Sequence, residues 1–73
     1  MVIDMRRFSV KVKLSGNINN FDNVDSNGIG LLYVDGNKRT SEKSVIASVK
    51  RIASLCSCKV EKIISINEIT LNR

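Results

Sequence analysis

From Arg7 to Leu14 the chain alternates without a break: Phe8, Val10, Val12 and Leu14 are apolar, and Arg7, Ser9, Lys11 and Lys13 between them are polar or charged. A period of two is the repeat of an extended strand, whose successive side chains point to opposite faces. Such a strand has one face to bury, so the chain must supply a second layer to cover it. That layer is readable in residues 41–56, where the period changes. Val45, Ile46, Val49, Ile52, Ala53 and Cys56 recur at helical spacing and form one apolar stripe on a helix of about four turns. Thr40 or Ser41 suits its N-cap, and Glu42 in the first turn complements the helix dipole.

Three further segments complete the order. Residues 15–28 hold Asn17, Asn19, Asn20, Asn23 and Asn27 with Asp22, Asp25 and two Gly, a composition of turns whose side chains bond their own backbone. Ile18, Phe21 and Val24 recur within it, so the segment folds back on the core or forms a short irregular strand. Residues 29–34 are a compact apolar run between Gly28 and Asp35-Gly36-Asn37, which reads as a well-buried second strand. Residues 59–66, centred on Ile63 and Ile64, read as the last strand, with a bend at Asn67 and with Ile69 and Leu71 extending the edge or folding back. The expected architecture is one α+β domain over residues 1–73. Its order is β-β-α-β, with one amphipathic helix on a three- or four-stranded sheet. A right-handed crossover is expected if the second and last strands are parallel. The buried faces take up nearly every large apolar residue, leaving few for an apolar binding patch.

Composition narrows the chemistry. The 73 residues contain no His, Trp or Pro and two Cys, Cys56 and Cys58. Most acid/base, nucleophile and metal chemistry draws on His, Cys or paired carboxylates, so an enzyme is not expected and no catalytic residues are assigned. No apolar run approaches the roughly 20 residues that span a bilayer. Met1 to Arg7 lack the apolar stretch of a signal peptide, and two Cys two residues apart cannot staple a fold. A cytoplasmic protein without membrane contact is the expectation.

Apparent motifs dissolve on inspection. Residues 23–28 imitate half a calcium loop, but the first position is Asn23 and the twelfth, where a bidentate Glu is needed, is Val34. Gly28-Ile29-Gly30 lacks a third Gly and precedes a strand instead of a helix. Cys56 and Cys58 fill half a tetrahedral metal site at most, and Cys56 on the helix stripe reads as a small buried hydrophobe. No metal and no cofactor are assigned.

The basic residues remain. Twelve Lys and Arg against seven Asp and Glu give a net charge of +5, which favours anionic partners. Arg7, Lys11 and Lys13 share the wet face of the first strand, at roughly 7 Å per two residues. Lys43 and Lys50 share the exposed side of the helix with Arg51 further round, and Lys38 and Arg39 sit just before its start, where free N–H groups favour anions. These eight are the candidate partner-binding surface. The alternative is the hydrogen-bonding loop of Asn19, Asn20, Asp22, Asn23, Asp25 and Asn27. Outward Lys also serves simply to discourage edge pairing. With only Phe8, Phe21 and Tyr33 as aromatics, and Phe8 facing the core, a base-stacking platform is not expected.

The segment Val49-Lys50-Arg51-Ile52-Ala53-Ser54, followed by a strand within residues 44–66, resembles small phage-encoded anti-CRISPR proteins of the type I class. The resemblance implies a tiny α+β domain without catalytic residues that docks on a surface of a larger ribonucleoprotein complex. A stoichiometric inhibitor or adaptor, docking on a charged surface of a larger protein or ribonucleoprotein complex, is the leading expectation. A nucleic-acid-binding module that contacts phosphates is the second, and a subunit that pairs with its own copy through a sheet edge is the third. Monomer and homodimer both stay open.

Overall fold

The computed structural model describes residues 5–69. Residues 1–4 and Leu71, which entered the readings of the chain start and of the last edge, lie outside the described residues. The elements run β1 (Arg6–Gly16), a 3-10 turn (Ile18–Asn20), β2 (Ile29–Gly36), α1 (Glu42–Leu55) and β3 (Cys58–Ile69). The sheet is three-stranded in the order β2-β1-β3, so the first strand in sequence is the central one. Both neighbours are antiparallel to β1, and β2 and β3 therefore run parallel to each other on either side of it. The helix joins them by crossing over β1 and covers one face of the sheet.

The core lies under that helix. Phe8, Val10, Val12 and Leu14 of β1 are buried with Leu32 and Val34 of β2, Val45, Val49 and Ala53 of α1, and Cys58 of β3. Each large side chain so buried stabilises the fold by about 1.5–3 kcal/mol. Ser41 caps α1, its hydroxyl accepting from the Ser44 N–H at 3.2 Å. The Asn-rich segment does fold back. Ile18, Phe21 and Val24 pack against the core, and Val24 makes an isolated antiparallel bridge to Gly30 instead of a fourth strand. Gly28 (φ 83) has no room for a side chain, because a Cβ there would run into the Leu14 carbonyl.

Four expectations are corrected. Residues 29–34 are buried on one face only: Leu32 and Val34 point under the helix, while Leu31 and Tyr33 are 37% and 48% exposed. One 14-residue helix cannot cover both faces of a sheet, so an unbroken apolar run here means half-buried. Large apolar residues are thus left over for a surface patch, contrary to the expectation that nearly all are buried. Asn67 does not bend the chain; β3 runs through it to Ile69, with Asn67 opposite Ser9 and Ile69 opposite Arg7. Cys56 is the half-buried C-cap of α1, and Cys58 is the buried thiol.

The last strand is irregular for a definite reason. Its register with β1 shifts between Lys11 and Val12 and again between Lys13 and Leu14, leaving Ile64 and Glu61 as surplus residues. Two bulges convert the two-residue period into steps of three: Val60, Ile63 and Ile66 stand opposite Leu14, Val12 and Val10 and pack against the core. They also break up the outer edge of β3, which discourages pairing there with another strand.

Candidate binding face of the sheet

The face of the sheet turned away from α1 has no covering element among the described residues. Strand pairing orders its side chains in rows. Asp35, Arg7 and Ile69 form the first, Tyr33, Ser9 and Asn67 the second, Leu31, Lys11 and Ser65 the third, and Ile29, Lys13 and Lys62 the fourth. The β2 column is apolar from Ile29 to Tyr33, the β1 column carries Lys11 and Lys13, and the β3 column is polar or cationic at Asn67, Ser65 and Lys62 with the apolar Ile69 at its end.

Charge on this face is sorted along its length. At one end the Arg7 Nε donates to Asp35 Oδ1 at 2.7 Å, closing an exposed ion pair. That hydrogen bond holds the Asp35 carboxyl below its ordinary pKa and raises Arg7. Arg7 is therefore neutralised where it stands. At the other end the Ser15 hydroxyl donates to Glu61 Oε2 at 2.6 Å. Between these ends lie Lys11, Lys13 and Lys62, all exposed and in no ion pair among the described residues. Lys13 and Lys62 are direct cross-strand partners. Like charges directly opposite destabilise a sheet, so the arrangement favours an anion laid across them.

The other candidate residues are elsewhere. Lys43, Lys50 and Arg51 are exposed on α1, in the layer on the opposite side of the sheet. Lys50 also lines an open groove of about 360 Å³ with Ser54, Cys58, Lys59 and Val60, between α1 and β3. Lys38 and Arg39 occupy the turn before α1, where the Arg39 N–H donates to Asn37 Oδ1 at 2.8 Å and the Asn37 N–H to Thr40 Oγ1 at 2.8 Å. The eight basic candidates therefore do not form one surface. Of them the open sheet face unites Arg7, Lys11 and Lys13.

The Asn-rich loop is largely occupied with its own folding. Asp25 Oδ1 accepts from the N–H groups of Asn27 (2.8 Å) and Ile29 (3.1 Å), fixing the approach to β2. Asn20 Nδ2 donates to the Cys56 carbonyl at 2.7 Å and ties the loop to the end of α1. Asn19, Asp22, Asn23 and Asn27 are exposed. Among the described residues no three His, Cys, Asp or Glu side chains gather as metal ligands, and no helix is long and apolar enough to cross a membrane.

Three residues of consequence escaped the sequence reading. Tyr33 and Leu31 face the open side, a fact implied by their parity with the buried Leu32 and Val34. Arg6 is the third. Its guanidinium makes two bonds to Glu68 (2.9 and 2.8 Å), donates to the Thr40 carbonyl at 3.2 Å, and lies 4.8 Å from the centre of the Phe8 ring. It ties β1 to β3 and to the turn before α1, and its hydrogen bonds hold the Glu68 carboxyl below its ordinary pKa. Its signal was its two-residue spacing from Phe8, which puts it on the core side. No protein-family model, curated protein or solved structure matches the chain.

Proposed function

We propose that this protein is a non-catalytic binding protein, an inhibitor or adaptor, that docks an anionic surface of a larger partner on the uncovered face of its sheet. The observation that carries the reading is the combination on that face of exposed Leu31 and Tyr33 with Lys11, Lys13 and Lys62, which form no ion pair among the described residues. Apolar side chains at the centre of a docking surface supply affinity, and surrounding cations speed and orient the encounter. An ordinary solvated face has no need of the Lys13–Lys62 juxtaposition.

The test compares faces. The immobilised chain captures its partner from a lysate, alongside a Lys11→Glu/Lys13→Glu variant and a Lys43→Glu/Lys50→Glu variant. Capture is expected to fail for the first and persist for the second, with melting curves showing both variants folded. Loss confined to the helix variant would move the docking surface to α1 and overturn the reading. A nuclease-treated lysate separates protein from nucleic-acid partners.

A further inference from the structure

We propose that the open face binds single-stranded RNA, with one base stacked on Tyr33 and the phosphates following Lys11, Lys13 and Lys62. This rests on the reading of that face as the docking surface and names its partner. The charge complementarity is specific in pattern. Lys11 and Lys13 stand two residues apart on one strand, roughly 7 Å, which is close to the spacing of phosphates along one extended strand. Lys62 widens the cationic row by one strand, and the Arg7–Asp35 and Ser15–Glu61 contacts bound it at either end. The face between Ser9 and Ser15 is about 20 Å long, room for three or four nucleotides.

Tyr33 decides between duplex and single strand. A duplex would meet the lysines but keep its base faces stacked internally, whereas an unpaired base can lie on an exposed ring. Tyr33 is 48% exposed and has Leu31 two residues along the same column, so a base on the ring rests partly on an apolar neighbour. The choice of RNA follows from the row to which Tyr33 belongs. Ser9 and Asn67 extend it across the sheet, at about 4.8 Å per strand. The sugar of a base stacked on Tyr33 therefore passes over a hydroxyl and an amide able to bond its 2′-OH. Against the expectation of no stacking platform stands one observation, the exposed Tyr33 ring on β2.

The chain has one Tyr and no Trp, so its intrinsic emission reports on Tyr33 alone. The experiment titrates the full chain with an oligouridylate about 12 nucleotides long, following both the anisotropy of the labelled RNA and Tyr emission. Binding with quenched Tyr emission is expected. Tyr33→Ala should weaken it roughly fivefold or more and Tyr33→Phe should largely restore it. Lys11→Gln and Lys13→Gln should each lower the salt slope of log K by about 0.7. Lys43→Gln/Lys50→Gln should leave affinity unchanged. Oligothymidylate of the same length should bind more weakly, and equal affinity overturns the assignment of RNA. Equal affinity for duplex RNA, unquenched Tyr33 on binding, or no binding at about 0.1 M salt overturns stacking by a single strand. If the oligomer fails while nuclease-resistant capture from lysate still depends on Lys11 and Lys13, the RNA inference falls and the docking face stands. If that dependence is absent too, both fall.

Discussion

Ser57 is held where a serine is disfavoured, and replacing it with glycine should stabilise the protein. The helix ends at Leu55, Cys56 caps it, and Ser57 follows with φ 61, the single described non-glycine residue in the left-handed region. The turn is fixed from several sides. The Cys56 N–H donates to the Ala53 carbonyl at 3.0 Å and the Ser57 N–H to the Ser54 carbonyl at 3.0 Å, while the Ser57 carbonyl accepts from the Asn17 N–H at 3.2 Å. Gly16 packs so closely on this turn that a Cβ on it would lie 2.7 Å from the Ser57 oxygen. The backbone therefore cannot relax to a negative φ without losing the join between α1, β3 and the end of β1. Left-handed geometry costs an L-residue about 1–2 kcal/mol, and glycine escapes it. Glycine also gains freedom in the unfolded chain, which offsets about 0.4–1 kcal/mol. The net expectation for Ser57→Gly is a gain of about 0.5–1 kcal/mol, or about 2–8 °C in Tm for a domain of this size. Thermal melts by circular dichroism would measure it, with Ser57→Ala as control. The Ser57 side chain makes no hydrogen bond among the described residues, and alanine keeps the strained φ, so the control should gain nothing. A lower Tm for Ser57→Gly would refute the account of the turn.

Four other perturbations have definite signs. Gly28→Ala should cost more than about 1 kcal/mol, because it combines a positive φ with a Cβ directed at the Leu14 carbonyl; an unchanged urea midpoint would contradict that geometry. Val49→Asp should abolish cooperative unfolding by burying an unpartnered charge at a fully buried site, whereas Lys50→Asp on the exposed side should shift stability by no more than about 0.5 kcal/mol; the reverse order in melts would overturn the helix register. Lys62→Glu should stabilise the fold by a few tenths of a kcal/mol by giving Lys13 an opposite charge, and should weaken capture of the partner; a variant that gains stability and still captures as well would detach Lys62 from binding. Glu68 and Asp35 have folded-state pKa values below their ordinary 4.5 and 3.8, so their contribution is complete above those values and is lost as pH falls through the lower folded ones; the stability gap between the parent and Glu68→Gln should therefore close as pH drops from about 6 to about 2, and a constant gap would show that the Arg6 contact contributes nothing.

The fold was legible wherever one period held. The alternation in β1 and the stripe Val45, Val49, Ala53 fixed a strand and its covering helix, and Ser41 marked the helix start, because each rests on geometry local to the chain. Where the register depends on a neighbouring strand, the sequence was mute. Val60, Ile63 and Ile66 are spaced for neither an ideal strand nor an ideal helix, and only pairing with Leu14, Val12 and Val10 across two bulges explains them. The Arg6 clamp was equally hidden, since its partner Glu68 is 62 residues away. Of the candidate surface, the grouping of Arg7, Lys11 and Lys13 followed from alternation alone, but the neutralisation of Arg7 by Asp35 required knowing that β2 lies alongside in antiparallel register.

The misjudged β2 holds the more general point. An apolar run such as Ile29-Gly30-Leu31-Leu32-Tyr33-Val34 is compatible with burial on both faces or on one, and the run itself cannot distinguish them. The number of covering layers can. The described residues hold one α-helix with one apolar stripe, and a sheet has two faces. The helix is already claimed by Phe8, Val10, Val12 and Leu14, so the residues of β2 in phase with Lys11 and Lys13 have no layer to meet. Leu31 and Tyr33 are those residues. Sequences usually fill such positions with polar side chains, as β1 does with Ser9, Lys11 and Lys13. An aromatic and an aliphatic side chain kept there, beside unpaired cations, add nothing to the core and leave apolar surface in water. On the proposed reading a partner covers that surface, so replacing Leu31 and Tyr33 by Thr should leave folding intact and weaken partner binding.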